Sequence, residues 1–378
     1  MSFHYLDNSA TTRVSENAAK KAVELMRENF GNPSSLHSFG FEAEKELEAA
    51  REKIASLINA KENEIYFTSG GTEANNLALM GVSDAMKRRG NKIVTTAIEH
   101  HSVIDTAKHL ESLGFEVEFV YPKGKEGFDI ADFEKAIDEN TILVSVMLTN
   151  NETGLKPPVG KIPALIKRKS APALFHIDAV QAFGKENINV SALKCDLMSI
   201  SAHKIHGPKG VGALYVKKGV RILPRTFGGK QENSLRPGTE ALPLIGAFGV
   251  AVDEVKVSES LEKIRELNST LRQKLAGLDD IIINSPEDAS PYILNFSAIG
   301  IRSETMLHHL SSQGVFVSSG SACSKGGKSH VLSALKLSDD LADSAIRVSF
   351  SKENTMEDVD ALLEALSLGL NTLQRKRK

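Results

Sequence analysis

Glu64-Ile65-Tyr66-Phe67-Thr68-Ser69-Gly70-Gly71-Thr72-Glu73-Ala74-Asn75-Asn76 decides the fold. Ile65 to Thr68 are β-branched or aromatic, the pattern of a short strand. Two glycines then turn the chain, and 72–88 carries helical periodicity. The same unit recurs downstream. Strands are expected at 92–96, 115–120 and 141–147, each followed by a helix, at 101–113, 129–139 and 159–169. Three more strands follow at 173–178, 197–201 and 212–216. This alternation implies an α/β fold: a mainly parallel, seven-stranded sheet with helices on both faces. Beyond 237–274, mostly helix, the pattern changes. Strands at 281–284, 292–296, 315–318 and 345–350 alternate with helices at 303–310 and 356–373, as in a smaller α+β domain. The expected division is a large domain over 14–255 and a small one built from 1–13 and 256–378.

Composition removes several classes of function. A net charge of -2 over 378 residues gives no pull toward nucleic acid or an anionic membrane surface. No apolar run approaches the roughly 18 residues of a membrane span. Two cysteines in so long a chain exclude a disulfide framework and fit a reducing, cytoplasmic setting. The start, Met1 to Asn8, lacks the basic and apolar regions of a signal peptide.

Candidate chemistry gathers at strand ends, where ligands of parallel α/β sheets collect. The strand at 197–201 runs into Ala202-His203-Lys204-Ile205-His206-Gly207-Pro208, which places Lys204 at such an end. A free lysine, pKa about 10.4, is protonated and unreactive at neutral pH. Condensation with an aldehyde removes that obstacle, which is how lysine serves pyridoxal chemistry. An isolated lysine here reads more readily as a surface turn residue; its neighbours change that. Asp178 ends the preceding strand and suits the ring nitrogen of such a cofactor, or a turn cap. Gly70-Gly71-Thr72 opens a helix and offers an anion site or a plain tight turn. Ser201 and His203 flank the lysine as further anion donors. His100, after another strand, suits stacking on a flat ring and proton transfer, or helix capping. No histidine spacing matches a metal site, so no metal is expected.

Cys323 stands apart. From Ser318 to Ser329 no side chain exceeds alanine except Cys323, Lys325 and Lys328. Such a segment reads as a solvated loop, and its thiol, beside two lysines, as accessible and biased toward thiolate. Cys195, in an apolar strand-like run, reads as a small buried hydrophobe.

With these residues in place, the chain resembles, almost end to end, the cysteine desulfurases of the NifS/IscS type, fold-type I enzymes that use pyridoxal 5'-phosphate. The resemblance rests on ordered segments, among them Tyr5-Leu6-Asp7-Asn8, Gly31-Asn32-Pro33, Thr68-Ser69-Gly70-Gly71-Thr72-Glu73, Glu99-His100, Asn150-Asn151-Glu152-Thr153-Gly154, His176-Ile177-Asp178-Ala179-Val180-Gln181, Ser201-Ala202-His203-Lys204, Arg236-Pro237-Gly238-Thr239, Ser321-Ala322-Cys323 and Ile346-Arg347. It implies that Lys204 holds the cofactor covalently and that Asp178 faces its ring nitrogen. Gln181 and Asn151 would lie along the phenolic side, with His100 stacked on the ring. Gly71, Thr72, Ser201 and His203 would hold the phosphate. Thr239 would reach the phosphate of a second subunit, making a homodimer. Arg347 would fork onto the substrate carboxylate, with Asn8 and Asn32 nearby. Cys323 would take sulfur from L-cysteine, leave L-alanine, and pass a persulfide to an acceptor protein serving iron–sulfur assembly or tRNA and cofactor thiolation. A selenocysteine lyase or a class V aminotransferase is the alternative, and the latter does not need Cys323. Lys230 departs from the glycine often found at its position.

Overall fold

A computed structural model describes residues 3–319 and 329–374, so Cys323 lies outside the described residues. The large sheet has the seven expected strands. From edge to edge they are Ile65–Thr68, Gly212–Val216, Leu197–Ser201, Leu174–Asp178, Thr141–Met147, Lys92–Thr96 and Glu116–Val120. Six run in one direction; only Gly212–Val216 is reversed, pairing antiparallel with both of its neighbours.

Alternation along these strands builds two apolar layers, because successive side chains of a strand point to opposite faces. Ile93 and Val94, Leu143 and Val144, Leu197 and Met198, Leu214 and Tyr215 each divide between them. One layer takes Ala74 and Leu77 of helix Gly71–Met86 and Val103 and Leu110 of helix His101–Ser112. The other takes Leu25, Leu47 and Phe248 from helices Glu16–Arg27, Ser38–Leu57 and Leu242–Asp253. The first two of these helices precede every strand of the large sheet.

A third apolar cluster lies downstream in sequence. Leu267 and Leu271 of helix Val257–Ala276 join Phe296, Ile346 and Leu362 there. Its antiparallel sheet is Ala345–Ser349, Ile293–Ala298 and Ile281–Ile283. The N-terminal strand His4–Tyr5 pairs with Val315–Phe316, which ties residues 4–7 to this layer.

One buried ion pair shapes an edge of the large sheet. The Arg51 guanidinium forks onto Glu232, at 2.9 and 3.0 Å, and also donates to the Ile65 carbonyl at 2.7 Å. Glu232 accepts the Phe67 N–H as well, at 2.8 Å. Glu232, Asn233 and Ser234 turn through left-handed backbone, at φ of 47, 53 and 63°. Left-handed backbone costs roughly 1–2 kcal/mol per residue outside glycine. Arg51→Met leaves a buried carboxylate without its partner, a loss of about 3–5 kcal/mol. We expect a clearly lower urea midpoint for that variant and substantial recovery in Arg51→Met/Glu232→Leu.

Candidate active site

A cavity of about 370 Å³ opens at the carboxyl ends of the parallel strands. Met147, Asp178 and Ser201 end three adjacent strands and line it. Gly71 and Thr72 enter it at the start of helix Gly71–Met86, and His100 caps helix His101–Ser112 beside it. The sharp entry to the first helix requires Gly70, whose φ of 152° and ψ of -178° lie where side chains are rarely tolerated. Gly71 is also constrained: a Cβ there would stand 2.6 Å from Val180 Cγ2.

Lys204 projects its amine toward the carbonyls of Ser9 and Ala10, the latter at 2.9 Å. Burial, reinforced by the positive charges of Lys185 and Arg347, pushes it down to about 7. A sizeable share of the amine is therefore unprotonated at neutral pH and able to attack an aldehyde.

A hydrogen-bonded chain runs across the cavity wall from Asp178 to His100. Asn75 Nδ2 donates to Asp178 Oδ2 at 2.7 Å and to Ser102 Oγ at 2.9 Å. The Val180 N–H binds the other Asp178 oxygen at 2.9 Å. Ser102 Oγ lies 2.8 Å from His100 Nδ1, which also accepts the Ser102 N–H at 3.1 Å. With Nδ1 accepting, the neutral ring carries its proton on Nε2. Burial, opposed by Asp178 and aided by Lys204, holds His100 below the usual histidine range. His203 is likewise pushed down by burial, to about 4.

Among the described residues, Ser9 Oγ, Asn75 Oδ1, Asn151 Oδ1, Ser201 Oγ and Arg347 Nε are buried without a hydrogen-bond partner, and all five residues line this cavity. Leaving one such atom unsatisfied costs about 1–3 kcal/mol. Their convergence marks a binding site for a polar guest. An amine, a carboxylate backed by an amide, and a helix N-terminus with a free serine hydroxyl fit the aldehyde, ring nitrogen and phosphate of pyridoxal phosphate.

Arg347 reaches the cavity from strand Ala345–Ser349. It donates to the Asn151 carbonyl at 3.0 Å and pairs with Asp7 at 2.6 Å. Its backbone exchanges hydrogen bonds with Ser318 at 2.6 and 3.1 Å. Ser329 donates to Glu152 at 2.6 Å, and burial pushes that carboxyl up to about 7. His330 contacts the Glu99 carbonyl at 2.9 Å. The segment that carries Cys323 is thus fastened on both sides to residues next to the cavity.

The structure gathers Gly71, Thr72, His100, Asn151, Asp178, Gln181, Ser201, His203, Lys204 and Arg347 into one wall. Asn8, Asn32 and Thr239 do not line it. The buried Asn8 amide is committed to the Tyr5 and Ser349 carbonyls and to Asn354. Asn32 and Thr239 are exposed. Asn75 and Ser102 join the site without having been anticipated; a poor helix former one turn after Thr72 was the available signal. Cys195 is buried, bonded weakly to the Val190 carbonyl at 3.9 Å, and pushed up to about 12 by burial. It precedes its strand rather than lying within it. Lys230 lines a separate cavity of about 550 Å³ near Arg51 and Glu232. Among the described residues no cluster of three or more histidine, cysteine or acidic side chains is placed to hold a metal ion.

The aminotransferase class-V family model matches residues 4–362. A protein described as cysteine desulfurase IscS from Clostridium botulinum (strain Kyoto / Type A2) is 44% identical over 371 residues, covering 96% of this chain and 93% of its own. One of the same description from Dictyoglomus turgidum is 42% identical over 369 residues, again covering 96% and 93%. A solved structure described as a NifS-like protein superposes with a TM-score of 0.93 at 38% identity, covering 98% of this chain and all of the other.

Proposed function

The chain belongs to the class V aminotransferase family, and on that premise we propose how its pocket divides the work of a cysteine desulfurase. It is a pyridoxal-phosphate-dependent enzyme that takes sulfur from L-cysteine, releases L-alanine and hands the sulfur to acceptors. One observation carries the reading of the site: the depressed amine of Lys204 shares a cavity with the amide-backed carboxylate of Asp178.

When bound, the cofactor supplies an electron-withdrawing ring that holds charge released at the substrate α-carbon. Lys204 would hold it covalently, and its amine is the base that takes the α-proton on Nζ and gives a proton back to the same carbon before alanine leaves. Asp178 would keep the ring nitrogen protonated, and Asn75 and the Val180 N–H keep Asp178 oriented. Thr72, Gly71, Ser201 and His203 would hold the phosphate, and Asn151 and Gln181 would border the phenolic side. His100 would stack on the ring and present its Nε2 proton. Arg347, buried with one N–H unspent, receives the substrate carboxylate, and Asn8, bonded to the Ser349 carbonyl, braces the strand that carries Arg347. Cys323, as thiolate, attacks the substrate sulfur. A sulfur–sulfur bond forms as the carbon–sulfur bond breaks, and its electron pair stays with carbon. That carbon takes up a proton to become the methyl group of alanine, leaving a persulfide on Cys323.

The remaining assignments concern assembly. A homodimer, with Thr239 reaching the partner's phosphate site, is supported by exposed apolar side chains between residues 23 and 41. Val23, Met26, Phe30 and Phe41 are each more than half exposed, and the Phe30 and Phe39 rings pack at 5.2 Å. The separate downstream core supports a large domain over 14–255 and a small one over 1–13 and 256–378. Two cysteines support a cytoplasmic setting. The acceptor is assigned as a protein of iron–sulfur assembly or of tRNA or cofactor thiolation.

The purified protein, loaded with pyridoxal phosphate, should be yellow and bleach with borohydride. Given L-cysteine, it should yield alanine, with sulfide in reductant. A colourless protein removes the cofactor reading, and a coloured one that makes no alanine from cysteine removes the desulfurase reading.

A further inference from the structure

Lys185 is a buried lysine that the reaction above does not use, and it is only 5% exposed. Among the described residues, no carboxylate pairs with it. The two nearby acids are committed elsewhere. Glu186 binds Lys156 at 2.5 Å and the Thr149 hydroxyl at 2.9 Å. Glu254 binds Asn17 at 2.9 Å and Lys352 at 3.4 Å. The Lys185 ammonium has one long hydrogen bond, to Gln181 Oε1 at 3.4 Å, and stands 5.6 Å from the centre of the Tyr292 ring.

Two features connect it to Lys204. Behind the active-site cavity lies a second one of about 30 Å³, lined by both lysines together with His206 and Tyr292. That is room for about one or two waters. A chain of polar groups also joins the two amines. Lysine only donates, so Lys185 fixes the Gln181 oxygen toward itself. The Gln181 amide nitrogen then donates to the Ser9 carbonyl at 3.0 Å, and that carbonyl also accepts from Lys204. The other basic groups around the pair have acidic partners, although Arg347 still adds to the downward push on Lys204 and Asp7 and Asp178 oppose it. Arg347 is paired with Asp7, Lys352 with Glu254, and His206 lies 3.6 Å from Glu353.

We propose that Lys185 is a positioning residue for Lys204, its uncompensated charge and its Gln181 bridge keeping the Lys204 nitrogen unprotonated and aimed at the Ser9 carbonyl. This rests on Lys204 being the cofactor-binding lysine. Two like charges sharing one small cavity cannot both be accommodated cheaply, so one amine must yield its proton. Burial lowers both lysines, Lys185 to about 8 and Lys204 to about 7, and among charges Lys185 is the largest influence on Lys204. At neutral pH the proton therefore rests more on Lys185 than on Lys204.

The test is a pH titration of the bound cofactor's absorbance in the holoenzyme, which follows the nitrogen of Lys204. Lys185→Met should move the midpoint up by roughly one pH unit, the scale set by one nearby like charge. Lys185→Arg should leave it near the parent's. A merely structural role would alter thermal stability or cofactor retention and leave the midpoint in place. An unmoved midpoint in a folded, coloured Lys185→Met overturns the inference, as does an equal shift in Lys185→Arg. A colourless parent would instead overturn the role of Lys204. Should Lys185→Met not fold, trace acetylation of the unaltered holoenzyme across pH, read by peptide mass spectrometry, gives the Lys185 midpoint directly. A midpoint above 7 is expected; one below it leaves Lys185 uncharged at neutral pH and overturns the inference.

Discussion

Lys204→Ala is expected to abolish the borohydride-fixable link to pyridoxal phosphate and to lower alanine production by at least about a thousand-fold. The variant should lose cofactor on gel filtration more readily than the parent, although the phosphate and ring-nitrogen contacts remain. The size of the loss follows from two roles placed on one atom. In the proposed mechanism the amine both attaches the cofactor and carries the α-proton, and among the described residues no second amine reaches the same carbonyls. Lys204→Arg should not rescue, because a guanidinium stays protonated and cannot attack an aldehyde. Folding should survive: Lys204 sits in a short turn after strand Leu197–Ser201, and its side chain bonds only two carbonyls. Retention of a tenth or more of the parent's alanine production would remove Lys204 from the mechanism.

Cys323→Ser should separate the two halves of the reaction. Cofactor binding and the absorbance change on adding cysteine should match the parent. The mass gain of one sulfur atom on the protein should disappear, and alanine formation should fall by about a thousand-fold or more, since a hydroxyl is a far weaker nucleophile toward sulfur. Cys195→Ala is the control. That thiol is buried and pushed up to about 12, so it holds almost no thiolate at neutral pH. Sulfur on Cys195, or full alanine turnover in Cys323→Ser, would overturn the assignment.

The sheet was legible because buried parallel strands are short apolar runs bounded by turn residues. The stretches 92–96, 141–147, 197–201 and 212–216 form as expected. Strand direction carries no such mark, and the antiparallel placement of Gly212–Val216 emerges only from tertiary packing. Helix 159–169 begins later than expected, at Ile162, with Pro163 in its first turn and a tighter turn before it. Helices Glu16–Arg27 and Ser38–Leu57 were not anticipated. Both are rich in charge, and they earn their place by covering the sheet and helix Leu242–Asp253. In the site, residues at strand ends were readable because topology alone gathers them. Asn75, Ser102 and Lys185 were not, since their partners lie 27 to 103 residues away or in a turn whose shape no local pattern encodes.

The two anchors beside the cavity set a geometric limit on whatever receives the sulfur. Ser318 is fixed to Arg347 and Ser329 to Glu152, and Cys323 is five residues beyond the first and six before the second. Even a fully extended chain carries its α-carbon no farther than roughly 17–18 Å from Ser318. On the proposed role of Cys323, an acceptor cysteine must come within that reach to receive the persulfide, and one that docks outside it receives none, however tightly it binds.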